Sequence, residues 1–459
     1  MIVMKFGGTS VKDASAIRRT LKIVESKNDR RVVVVSAFAG VTNKLVSICD
    51  MLISRKSDEA LKIAADLRSI HLKTASDLNL SSSVIEFINQ NIDELCRVIY
   101  ALNVIGEISN KSKDMIYAIG ETLSSYIIAE YAKNHIYDAI HIDSRKLIRT
   151  DSNFTEAEVD FENSSQLIND LLSGSLKTVN AVFCGGFIAS DKFGNTTTLG
   201  RGGSDYSAAV IAKCLNSGSL EIWTDVDGIL TSDPRVIHNA MLLREISYIE
   251  ASELAYFGAN VLHPKTIYPA IESNIPVYVL NSYNPESTGT LIKKSSPVSN
   301  IIKAIAFRRN ITIINITSNR MLGAYGFLAK VFDVFLLNET SVDLVTTSEV
   351  SISLTIDNDN NLDSIIRDLQ SFSSIEIIGN RAVISAVGEG IRNTSGIASK
   401  FFGAINGVNI SMISMGASEV NLSIIVAEED LENAVKLLHK EFFEKEILPE
   451  LFVKLNRIK

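Results

Sequence analysis

The sequence predicts an α/β chain: a mostly parallel sheet with helices on both faces, followed by two small ferredoxin-like βαββαβ units. Three observations lead to this prediction. Short β-branched runs alternate with longer helical patterns over about the first 290 residues, as in doubly wound sheets. From about Asn310 the sequence repeats itself without a gap. The chain has 459 residues, about three times the ~150-residue prior for one domain, so both parts have room.

The predicted strands of the first part are short runs bounded by polar or glycine-containing segments. After the first run, Ile17, Leu21 and Val24 recur at helical spacing, which gives the next helix one apolar face to lay on the sheet. Between Leu45 and Ala132 the pattern is helical almost throughout. We therefore predict a first domain of residues 1–295 with a helical insertion over about 45–132. The predicted strands are Ile2 to Phe6, Arg31 to Ser36, Ala139 to Ile142, Val179 to Cys184, Glu221 to Thr224 and Pro276 to Leu280.

The repeat is the strongest internal signal. Gly326 aligns with Gly396, 70 positions later, and Ser348-Glu349-Val350 then aligns with Ser418-Glu419-Val420. Each copy predicts a βαββαβ unit, which is the ferredoxin-like arrangement. We expect these units over residues 310–380 and 381–459, with the second one closing at Phe443 to Lys459. The elements predicted for the first copy are Thr312 to Ile316, Gly326 to Leu337, Ser341 to Thr346, Val350 to Ile356, Leu362 to Phe372 and Ile375 to Ile378.

Composition narrows the possible partners. The 45 Lys and Arg residues against 53 Asp and Glu residues give a net charge of −8, which disfavours a nucleic-acid or anionic-membrane surface. The four cysteines form no Cys-x-x-Cys pair, so the sequence predicts neither a metal cluster nor a disulfide framework and favours a reducing cytosol. No stretch approaches the ~18 apolar residues of a membrane helix, and the N-terminus does not resemble a signal peptide. We expect a cytoplasmic protein that binds small ligands.

The first candidate for chemistry is the turn KFGGTS that begins at Lys5, where a strand ends in two glycines and two hydroxyl residues before a helix. Glycines let backbone N–H groups approach a phosphate closely, the helix adds its positive end, and Lys5 supplies a full charge. The pattern predicts a phosphate site formed by Gly7, Gly8, Thr9 and Ser10. A tight turn without a ligand explains the same residues equally well.

A second glycine-rich turn, NTTTLGRGGSD, runs from Asn195 to Asp205 and again precedes a helical pattern. Arg201 is its informative residue, because an arginine among glycines has little to pack on and its planar guanidinium suits bidentate capture of a carboxylate or phosphate. A solvated loop arginine is the alternative. The pair Gly185-Gly186 also follows an apolar strand and is weak evidence by itself.

Acidic residues follow a third strand, in the segment WTDVDG from Trp223 to Gly228. Ligands of open α/β sheets bind at the carboxyl ends of strands, so Asp225 and Asp227 could position a nucleotide or a magnesium ion. Acidic residues beside glycine are also frequent turn formers, and both interpretations stay open. The motifs of P-loop proteins, dinucleotide-binding folds, protein kinases and Ser/His/Asp hydrolases are missing from the sequence, which disfavours those classes.

Taken together, the motifs resemble aspartate kinases of the amino-acid kinase superfamily, in the monofunctional, lysine-sensitive form with paired C-terminal ACT domains. The resemblance extends over nearly the whole chain and implies a three-layer αβα fold. Acetylglutamate and carbamate kinases share the glycine-rich ATP fold but differ at the substrate loop and lack the ACT pair. The segments that carry the resemblance are KFGGTSV at Lys5, VVSAFAGVTN at Val34, GE at Gly120, TTTLGRGGSDYSA at Thr196, WTDVDGILTSDPR at Trp223, FGANVLHP at Phe257 and VTTSEVSISL at Val345.

The resemblance implies transfer of the γ-phosphoryl group of ATP to the side-chain carboxylate of L-aspartate, giving 4-phospho-L-aspartate for lysine, threonine and methionine synthesis. The attacking carboxylate is already ionised, so catalysis needs positioning and positive charge rather than a general base. In the implied roles, Lys5 stabilises the transferring group, Asp205 holds Lys5, and Mg²⁺ bridges the phosphates mainly through water and substrate oxygens.

The implied substrate contacts divide into two sets. On the aspartate side, Arg201 binds a carboxylate and Glu121 binds the ammonium group. On the ATP side, Leu230 and Asn260 depart from the family pattern, in which tyrosine and lysine are frequent, and Asn260 lacks the ammonium charge. The implied aspartate contacts are Ser36, Thr42, Glu121, Arg201, Gly202, Gly203 and Ser204, and the implied ATP contacts are Thr224, Asp225, Leu230, Arg235, Asn260 and Val261.

The ACT pair implies a feedback sensor for an amino acid, L-lysine by the type of the segment from Met321 to Glu349, in a homodimer or homotetramer joined through ACT units. Asp343 and Glu349 are expected to pair with ammonium groups, although a solvated loop is the alternative for both. The implied effector contacts are Met321, Gly326, Phe327, Leu328, Ser341, Val342, Asp343, Ser348 and Glu349.

Two other functions stay open. One is a related kinase that acts on another acidic substrate. The other is a catalytically inactive amino-acid sensor, which the intact Lys5, Arg201 and Asp205 argue against and which Leu230 and Asn260 leave possible. We expect no homoserine dehydrogenase domain, because the sequence has no room for one after the second ACT unit.

Overall fold

The structure is a computed structural model that describes residues 1–135, 138–258, 262–295, 302–318, 321, 325–445 and 451–454. The chain divides into two compact units. The first unit comprises Met1–Ile229, Arg244–Tyr248 and Val261–Lys294, and the second comprises Leu230–Leu243, Ile249–Asn260 and Ser295–Lys459. No helix of the described residues combines the length and the apolar character that crossing a membrane requires.

Up to residue 294, strands and helices alternate as the sequence predicts. The strands are β1 (Ile2–Phe6), β2 (Arg31–Val35), β3 (Ala139–His141), β4 (Arg149–Thr150), β5 (Ala181–Gly185), β6 (Ile188–Asp191), β7 (Thr196–Thr198), β8 (Ser219–Thr224), β9 (Leu242–Leu243), β10 (Glu245–Ser247), β11 (Val277–Asn281) and β12 (Thr290–Lys293). The helices are α1 (Ala14–Glu25), α2 (Val41–Ile53), α3 (Ser57–Asp77), α4 (Ser82–Ile105), α5 (Asn110–Tyr117), α6 (Ile119–Lys133), α7 (Phe161–Ile168), α8 (Gly203–Cys214), α9 (Tyr248–Tyr256) and α10 (Pro264–Glu272).

The first unit is built on an eight-stranded sheet in the order β10-β12-β11-β8-β1-β2-β5-β3. All neighbours are parallel except β11 and β12. Residues of β1, β2 and β5 are almost all buried, as expected for parallel strands covered on both faces. All six predicted strands are present. Because β1, β2, β5 and β8 run in one direction, the turns that follow them lie along one edge of the sheet.

A helical layer packs on one side of this sheet. Five helices, α2 to α6, occupy the segment for which the sequence predicts an insertion, and they begin at Val41 rather than at Leu45. Leu45, Ile88 and Ile92 are fully buried in one apolar cluster with Val33 and Phe183 of the sheet. The burial of such side chains, about 1.5–3 kcal/mol each, holds the insertion on the sheet.

A small second sheet, in the order β4-β6-β7, was not predicted from the sequence. Its strands have only two to four residues, and the three threonines of β7 are the one β-branched run among them, which is too short to predict a strand. The sheet matters for function because β7 leads directly into the glycine-rich turn that contains Arg201.

The second unit is built on a six-stranded antiparallel sheet in the order β14-β15-β13-β16-β18-β17. Its strands are β13 (Ala304–Thr317), β14 (Val345–Thr347), β15 (Ser351–Ile356), β16 (Ser374–Val387), β17 (Ile410–Met415) and β18 (Asn421–Ala427), and β19 (Phe452–Val453) lies outside it. The helices are α11 (Phe327–Leu337), α12 (Leu362–Gln370), α13 (Ile397–Ala404) and α14 (Leu431–His439).

The two sequence repeats share the long strands β13 and β16. Residues 311–317 of β13 pair with the beginning of β16 and with β15, and these strands form the first repeat unit with β14, α11 and α12. Residues 304–308 of β13 pair with residues 383–387 of β16, which also pair with β18. The register shifts between Arg308 and Ile311, where Asn310 has a positive φ of 57°. This break separates the two repeats within one strand.

The second repeat unit is therefore completed differently from the prediction. Its fourth strand is Ala304–Arg308, which precedes the first repeat in the chain, and the expected closure at Phe443 to Lys459 is wrong for the described part of that segment. Val453 pairs with Leu242 of β9 instead. The repeat alignment cannot reveal this arrangement, because a strand supplied from upstream lies outside the aligned period. The limits 310–380 and 381–459 accordingly omit residues 304–308.

Candidate active site

A cleft of about 650 Å³ opens in the first unit where the turns after β1 and β2 meet the glycine-rich turn before α8. Charged side chains, glycines and threonines line it together. The residues that line it include Lys5, Gly8, Ser36, Ala37, Phe38, Thr42, Glu121, Thr155, Phe187, Thr198, Gly200, Arg201, Gly202, Gly203, Ser204 and Asp205.

Lys5 and Asp205 form an ion pair in this cleft. Lys5 Nζ lies 2.7 Å from Asp205 Oδ1, and both side chains are largely buried. Lys5 is held by the central strand β1, and Asp205 lies in the first turn of α8. The carboxylate therefore fixes a buried ammonium group at the carboxyl end of the sheet, where it can contact an anion without rearrangement.

The turn after Lys5 agrees only in part with the predicted phosphate site. Gly8 lines the cleft, and a Cβ atom there would approach Ala37 O within 2.8 Å, so a glycine is required. The Gly7 N–H is already used, because it donates to Trp223 O at 3.0 Å.

The two hydroxyl residues of the turn do not line the cleft. Ser10 is fully buried and its Oγ lies 2.8 Å from Ser282 Oγ, so its hydroxyl faces the residues after β11. Thr9 O accepts a hydrogen bond from Tyr283 Oη at 3.1 Å. The local sequence predicts the turn but not which way each hydroxyl faces, which depends on the strand β11 and the residues after it.

All seven predicted aspartate contacts line the cleft. Arg201 is exposed, and among the described residues its guanidinium group has no ion pair or hydrogen bond. Gly202, which follows it, has a φ of +70°, and a Cβ atom there would come within 2.7 Å of Thr266. This left-handed glycine allows the chain to turn from the Arg201 loop into α8.

Glu121 is the buried acid of the cleft. It is only 3% exposed, and its Oε1 accepts a hydrogen bond from the Ala37 N–H at 3.1 Å. Burial raises its pKa from 4.5 to about 7, although the Ala37 N–H and the charge of Lys5 lower it. Its second oxygen, Oε2, is buried and has no hydrogen-bond partner in the described part of the chain. An unsatisfied buried acceptor costs about 1–3 kcal/mol, so the site is suited to a cationic donor.

Comparisons with known proteins agree with this geometry. The sequence model of the amino acid kinase family matches residues 1–281, and that of the ACT domain matches residues 384–442. Lysine-sensitive aspartokinase 3 of Escherichia coli K12 is 37% identical, over 97% of this chain and 99% of that relative. The chain belongs to the aspartokinase family. The chloroplastic aspartokinase 3 of Arabidopsis thaliana is 38% identical over 96% of this chain and 81% of that relative.

Solved aspartokinase structures show the same fold. E. coli aspartokinase III in complex with lysine and aspartate has a TM-score of 0.84 and 36% identity, and the match covers 96% of this chain and 99% of that one. The same enzyme in complex with aspartate and ADP has a TM-score of 0.81 and 37% identity, with coverage of 96% and 100%. The predicted resemblance and the α/β fold with a C-terminal ACT region are thereby confirmed.

The predicted ATP contacts of the aspartokinase fall in both units. In the first unit Thr224 ends β8 and Asp225 follows it, and Thr224 Oγ1 lies 3.2 Å from Asp225 Oδ1. In the second unit Leu230 is partly buried, and the exposed Arg235 guanidinium pairs with Asp233 at 2.6 Å. Asn260 and Val261 lie outside the described residues.

The predicted effector contacts belong to the first repeat unit. Asp343 already has partners: its Oδ1 accepts a hydrogen bond from Tyr256 Oη at 2.5 Å and lies 3.9 Å from Arg308. Burial raises the pKa of Asp343, and the Tyr256 hydroxyl lowers it. Of the other predicted residues, Met321, Phe327 and Val342 pack on the apolar core of this unit, Gly326 precedes α11, Ser348 Oγ lies 2.6 Å from Ser351 Oγ, and Ser341, Leu328 and Glu349 are exposed.

Sequence reasoning missed several residues at the cleft. Thr155 and Phe187 line it with positive φ angles of 78° and 64°, which are rare for residues other than glycine. Asp114, fully buried on α5, holds Thr155 and Thr198. A residue other than glycine with a positive φ gives no signal in the sequence, because contacts with distant segments impose this backbone conformation. In the sequence, only the helical spacing between Asp114 and Glu121 could have indicated that Asp114 belongs near the site.

Proposed function

We propose that this aspartokinase transfers the γ-phosphoryl group of ATP to the β-carboxylate of L-aspartate, giving 4-phospho-L-aspartate and ADP. The observation that carries the proposal is the Lys5–Asp205 pair, with its 2.7 Å contact, in the same cleft as the open Arg201 and the unsatisfied oxygen of Glu121. One cleft thus offers a cation for the phosphoryl group and opposite charges for both ends of an amino acid.

The chemistry follows from these charges. A β-carboxylate oxygen attacks the γ-phosphorus, the bond between that phosphorus and the bridging oxygen of ADP breaks, and ADP leaves with its electron pair. The attacking carboxylate is ionised at neutral pH, so no proton has to be removed. Lys5 reduces the repulsion between the two anions and stabilises the charge of the transferring group.

Substrate selectivity comes from Arg201 and Glu121. The guanidinium group of Arg201 binds the α-carboxylate in a bidentate manner, and Glu121 Oε2 accepts a hydrogen bond from the α-ammonium group. Both interactions together orient the β-carboxylate toward Lys5. A dicarboxylate without the ammonium group leaves the Glu121 oxygen unsatisfied, so it is expected to bind poorly.

Magnesium enters the proposal with the nucleotide. The described residues contain no group of three His, Cys, Asp or Glu side chains arranged to hold a metal ion, so the donor set suits Mg²⁺ that binds mainly to phosphate and water oxygens. When bound, Mg²⁺ neutralises phosphate charge. Asp225, exposed at the end of β8, is the protein group that we propose to contact the nucleotide on this side, together with Thr224.

We further propose that L-lysine inhibits the enzyme through the ACT region, in a homodimer or homotetramer. Support comes from the lysine-bound state of the E. coli relative and from the predicted effector residues, which lie together in the first repeat unit. Inhibition requires that lysine binds one conformational state more tightly than the other. A cytoplasmic location is supported by the four cysteines, which are all free thiols.

Trapping of the acyl phosphate with hydroxylamine tests the reaction. We expect aspartyl hydroxamate from the purified protein with Mg-ATP and L-aspartate, and less of it when lysine is added. Lys5→Met should lower kcat by about 10²–10³-fold, the usual effect of removing one group that stabilises a developing charge. Lys27→Met is the matched control, because Lys27 forms a comparable ion pair with Glu221 at 2.8 Å outside the cleft.

Each outcome discriminates between the open functions. No hydroxamate at saturating ATP favours the inactive amino-acid sensor. Hydroxamate from another acidic substrate, with none from L-aspartate, favours the related kinase. A Lys27→Met variant as impaired as Lys5→Met contradicts the role of Lys5, since any loss of a lysine ion pair then has the same effect.

A further inference from the structure

Asp114 is a buried carboxylate that lies next to the cleft without lining it. It belongs to α5 and is fully buried. Its Oδ2 accepts hydrogen bonds from Thr155 N at 2.9 Å and from Thr198 N at 3.0 Å, and its Oδ1 accepts one from Thr198 Oγ1 at 2.5 Å. Burial raises its pKa, while these hydrogen bonds lower it. Three donors from two separate segments thus converge on one side chain.

Both segments border the aspartate-binding part of the cleft. Thr198 ends β7 and is followed by the turn that contains Gly200 and Arg201. Thr155 lies in the loop between β4 and α7, and both threonines line the cleft. A Cβ atom at Gly200 would lie 3.4 Å from Thr155 O, so the two segments are also in contact with each other.

The conformation of Thr155 shows why a holding group is needed. Its φ of 78° is unfavourable for a β-branched residue, whose Cβ substituents crowd the backbone in the left-handed region. Such a conformation persists only where the surroundings impose it. The hydrogen bond from Thr155 N to Asp114 supplies that constraint, and the same oxygen binds the segment that carries Arg201.

We propose that Asp114 is a positioning residue for aspartate: it joins the Thr155 loop to the Thr198 strand and thereby sets the place of Arg201. The inference rests on the proposed function, in which Arg201 binds the α-carboxylate. Without the carboxylate, two backbone N–H groups lose their acceptor and Thr155 can leave the left-handed region. The Arg201 turn then loses its support on one side, and aspartate binding weakens, whereas the Lys5–Asp205 pair keeps its own contacts.

Kinetics of Asp114→Ala test the proposal. We expect the KM for aspartate to rise about 10- to 30-fold, with the KM for ATP within about two-fold and kcat at saturating aspartate within about three-fold of wild type. Asp114→Asn should stay within about three-fold of wild type in all three, because the amide oxygen can accept both N–H groups and the amide nitrogen can donate to Thr198 Oγ1. Calorimetry with aspartate should show the same ranking of affinities.

Asp191→Ala is the matched control. Asp191 is also fully buried and also accepts two backbone N–H groups, from Phe193 and Asn195 at 2.9 Å each, within the β6–β7 hairpin. It does not line the cleft, and its contact with the Thr155 loop is a hydrogen bond from the Ser152 hydroxyl at 3.0 Å, not a bond to Thr155. We expect this variant to lose thermal stability like Asp114→Ala and to keep the wild-type KM for aspartate. Equal increases in KM for both variants overturn the proposal, because stability then explains the effect.

Two more variants cover the remaining outcomes. In Asp114→Ala/Thr155→Gly, glycine adopts the positive φ without strain, but no acceptor joins the two segments, so the KM for aspartate should stay as high as in Asp114→Ala, and a return to the wild-type KM overturns the joining role. If Asp114→Ala does not fold, Thr198→Val tests the proposal instead, since it removes only the hydroxyl contact with the Asp114 carboxylate and should raise the KM for aspartate about five- to ten-fold. An unchanged KM in Thr198→Val, or an Asp114→Asn variant as impaired as a folded Asp114→Ala, overturns the positioning role. Wild-type protein that yields no aspartyl hydroxamate overturns the proposed function instead.

Discussion

Charged side chains differ in their pairing between two regions of the molecule, the cleft of the first unit and the six-stranded sheet region of the second unit. In the cleft, Arg201 has no partner among the described residues, and Glu121 Oε2 is buried without one. In the second unit, Lys303 and Glu250 are fully buried and paired at 2.8 Å, and Asp343 accepts a hydrogen bond from Tyr256. Arg201 and Glu121 Oε2 are thus open to a ligand, whereas Lys303–Glu250 and Tyr256–Asp343 of the second unit already contact each other.

This difference has a general consequence for stability and function. Removing an unpaired charge from a binding cleft relieves a desolvation penalty and weakens ligand binding. Removing one member of a buried pair leaves the other member uncompensated and weakens the fold. Four substitutions test the contrast, from the largest expected effect to the smallest.

Lys303→Met in the second unit should have the largest effect. It leaves the Glu250 carboxylate buried without its ammonium partner, which typically costs about 3–5 kcal/mol. Urea unfolding should show a clearly lower midpoint. Lys436→Met is the control, because Lys436 is 57% exposed and lies 3.7 Å from Glu432, so its loss should be close to neutral. If Lys303→Met and Lys436→Met unfold at the same urea concentration, the buried pair of the second unit does not stabilise the fold more than an exposed pair does.

Glu121→Gln should act in the opposite direction on stability. Because burial raises the folded-state pKa of Glu121 from 4.5 to about 7, the folded protein binds a proton that the unfolded chain releases. Stability from this group is therefore full below about pH 4.5 and declines by about 3 kcal/mol as the pH rises through 7. Glutamine removes this decline.

The measurement for Glu121→Gln is urea unfolding of the aspartate-free protein at pH 5 and pH 8. We expect the variant to exceed wild type by about 1–3 kcal/mol at pH 8 only, and to bind aspartate about ten-fold more weakly. If the unfolding free energies of wild type and variant change by the same amount between pH 5 and pH 8, Glu121 is not a buried carboxylate that ionises in this range.

Arg201→Ala should change binding without changing stability. A charged hydrogen-bond donor contributes about 1.5–3 kcal/mol, so the KM for aspartate should rise about 30-fold while the unfolding free energy stays within about 0.5 kcal/mol. Arg97→Ala on the exposed side of α4 is the control, since that side chain is 72% exposed. A clear loss of stability in Arg201→Ala shows that this arginine is structural.

Tyr256→Phe should have the smallest effect and should appear only in regulation. The hydroxyl of Tyr256 competes with an ammonium group for Asp343 and contributes about 1 kcal/mol, so the lysine concentration for half-inhibition should fall about five-fold. Inhibition curves for the variant, wild type and the exposed control Tyr100→Phe measure this. An unchanged or higher half-inhibitory lysine concentration shows that Asp343 does not bind the effector.

The sequence predicted most of the sheet that positions the active site. Its strands are buried on both faces, and their β-branched runs are visible without any knowledge of their neighbours. The small sheet of β4, β6 and β7 escaped prediction because its short polar strands acquire their stability from pairing rather than from composition. The strand Ala304–Arg308 escaped for a similar reason, since it completes a repeat that begins about 70 residues later.

At the site, the sequence by itself determined which local turns carry charge: Lys5 at the end of a strand and Arg201 among glycines are readable from neighbouring residues. Only the tertiary structure decided that Glu121 is buried with an unsatisfied oxygen, that Ser10 faces away from the cleft, and that Asp114 holds Thr198, 84 positions along the chain. The physical reason is the distance along the chain over which each effect acts. Strand and turn propensities act over a few residues, whereas burial, pKa and hydrogen-bond partners depend on segments that meet only after folding.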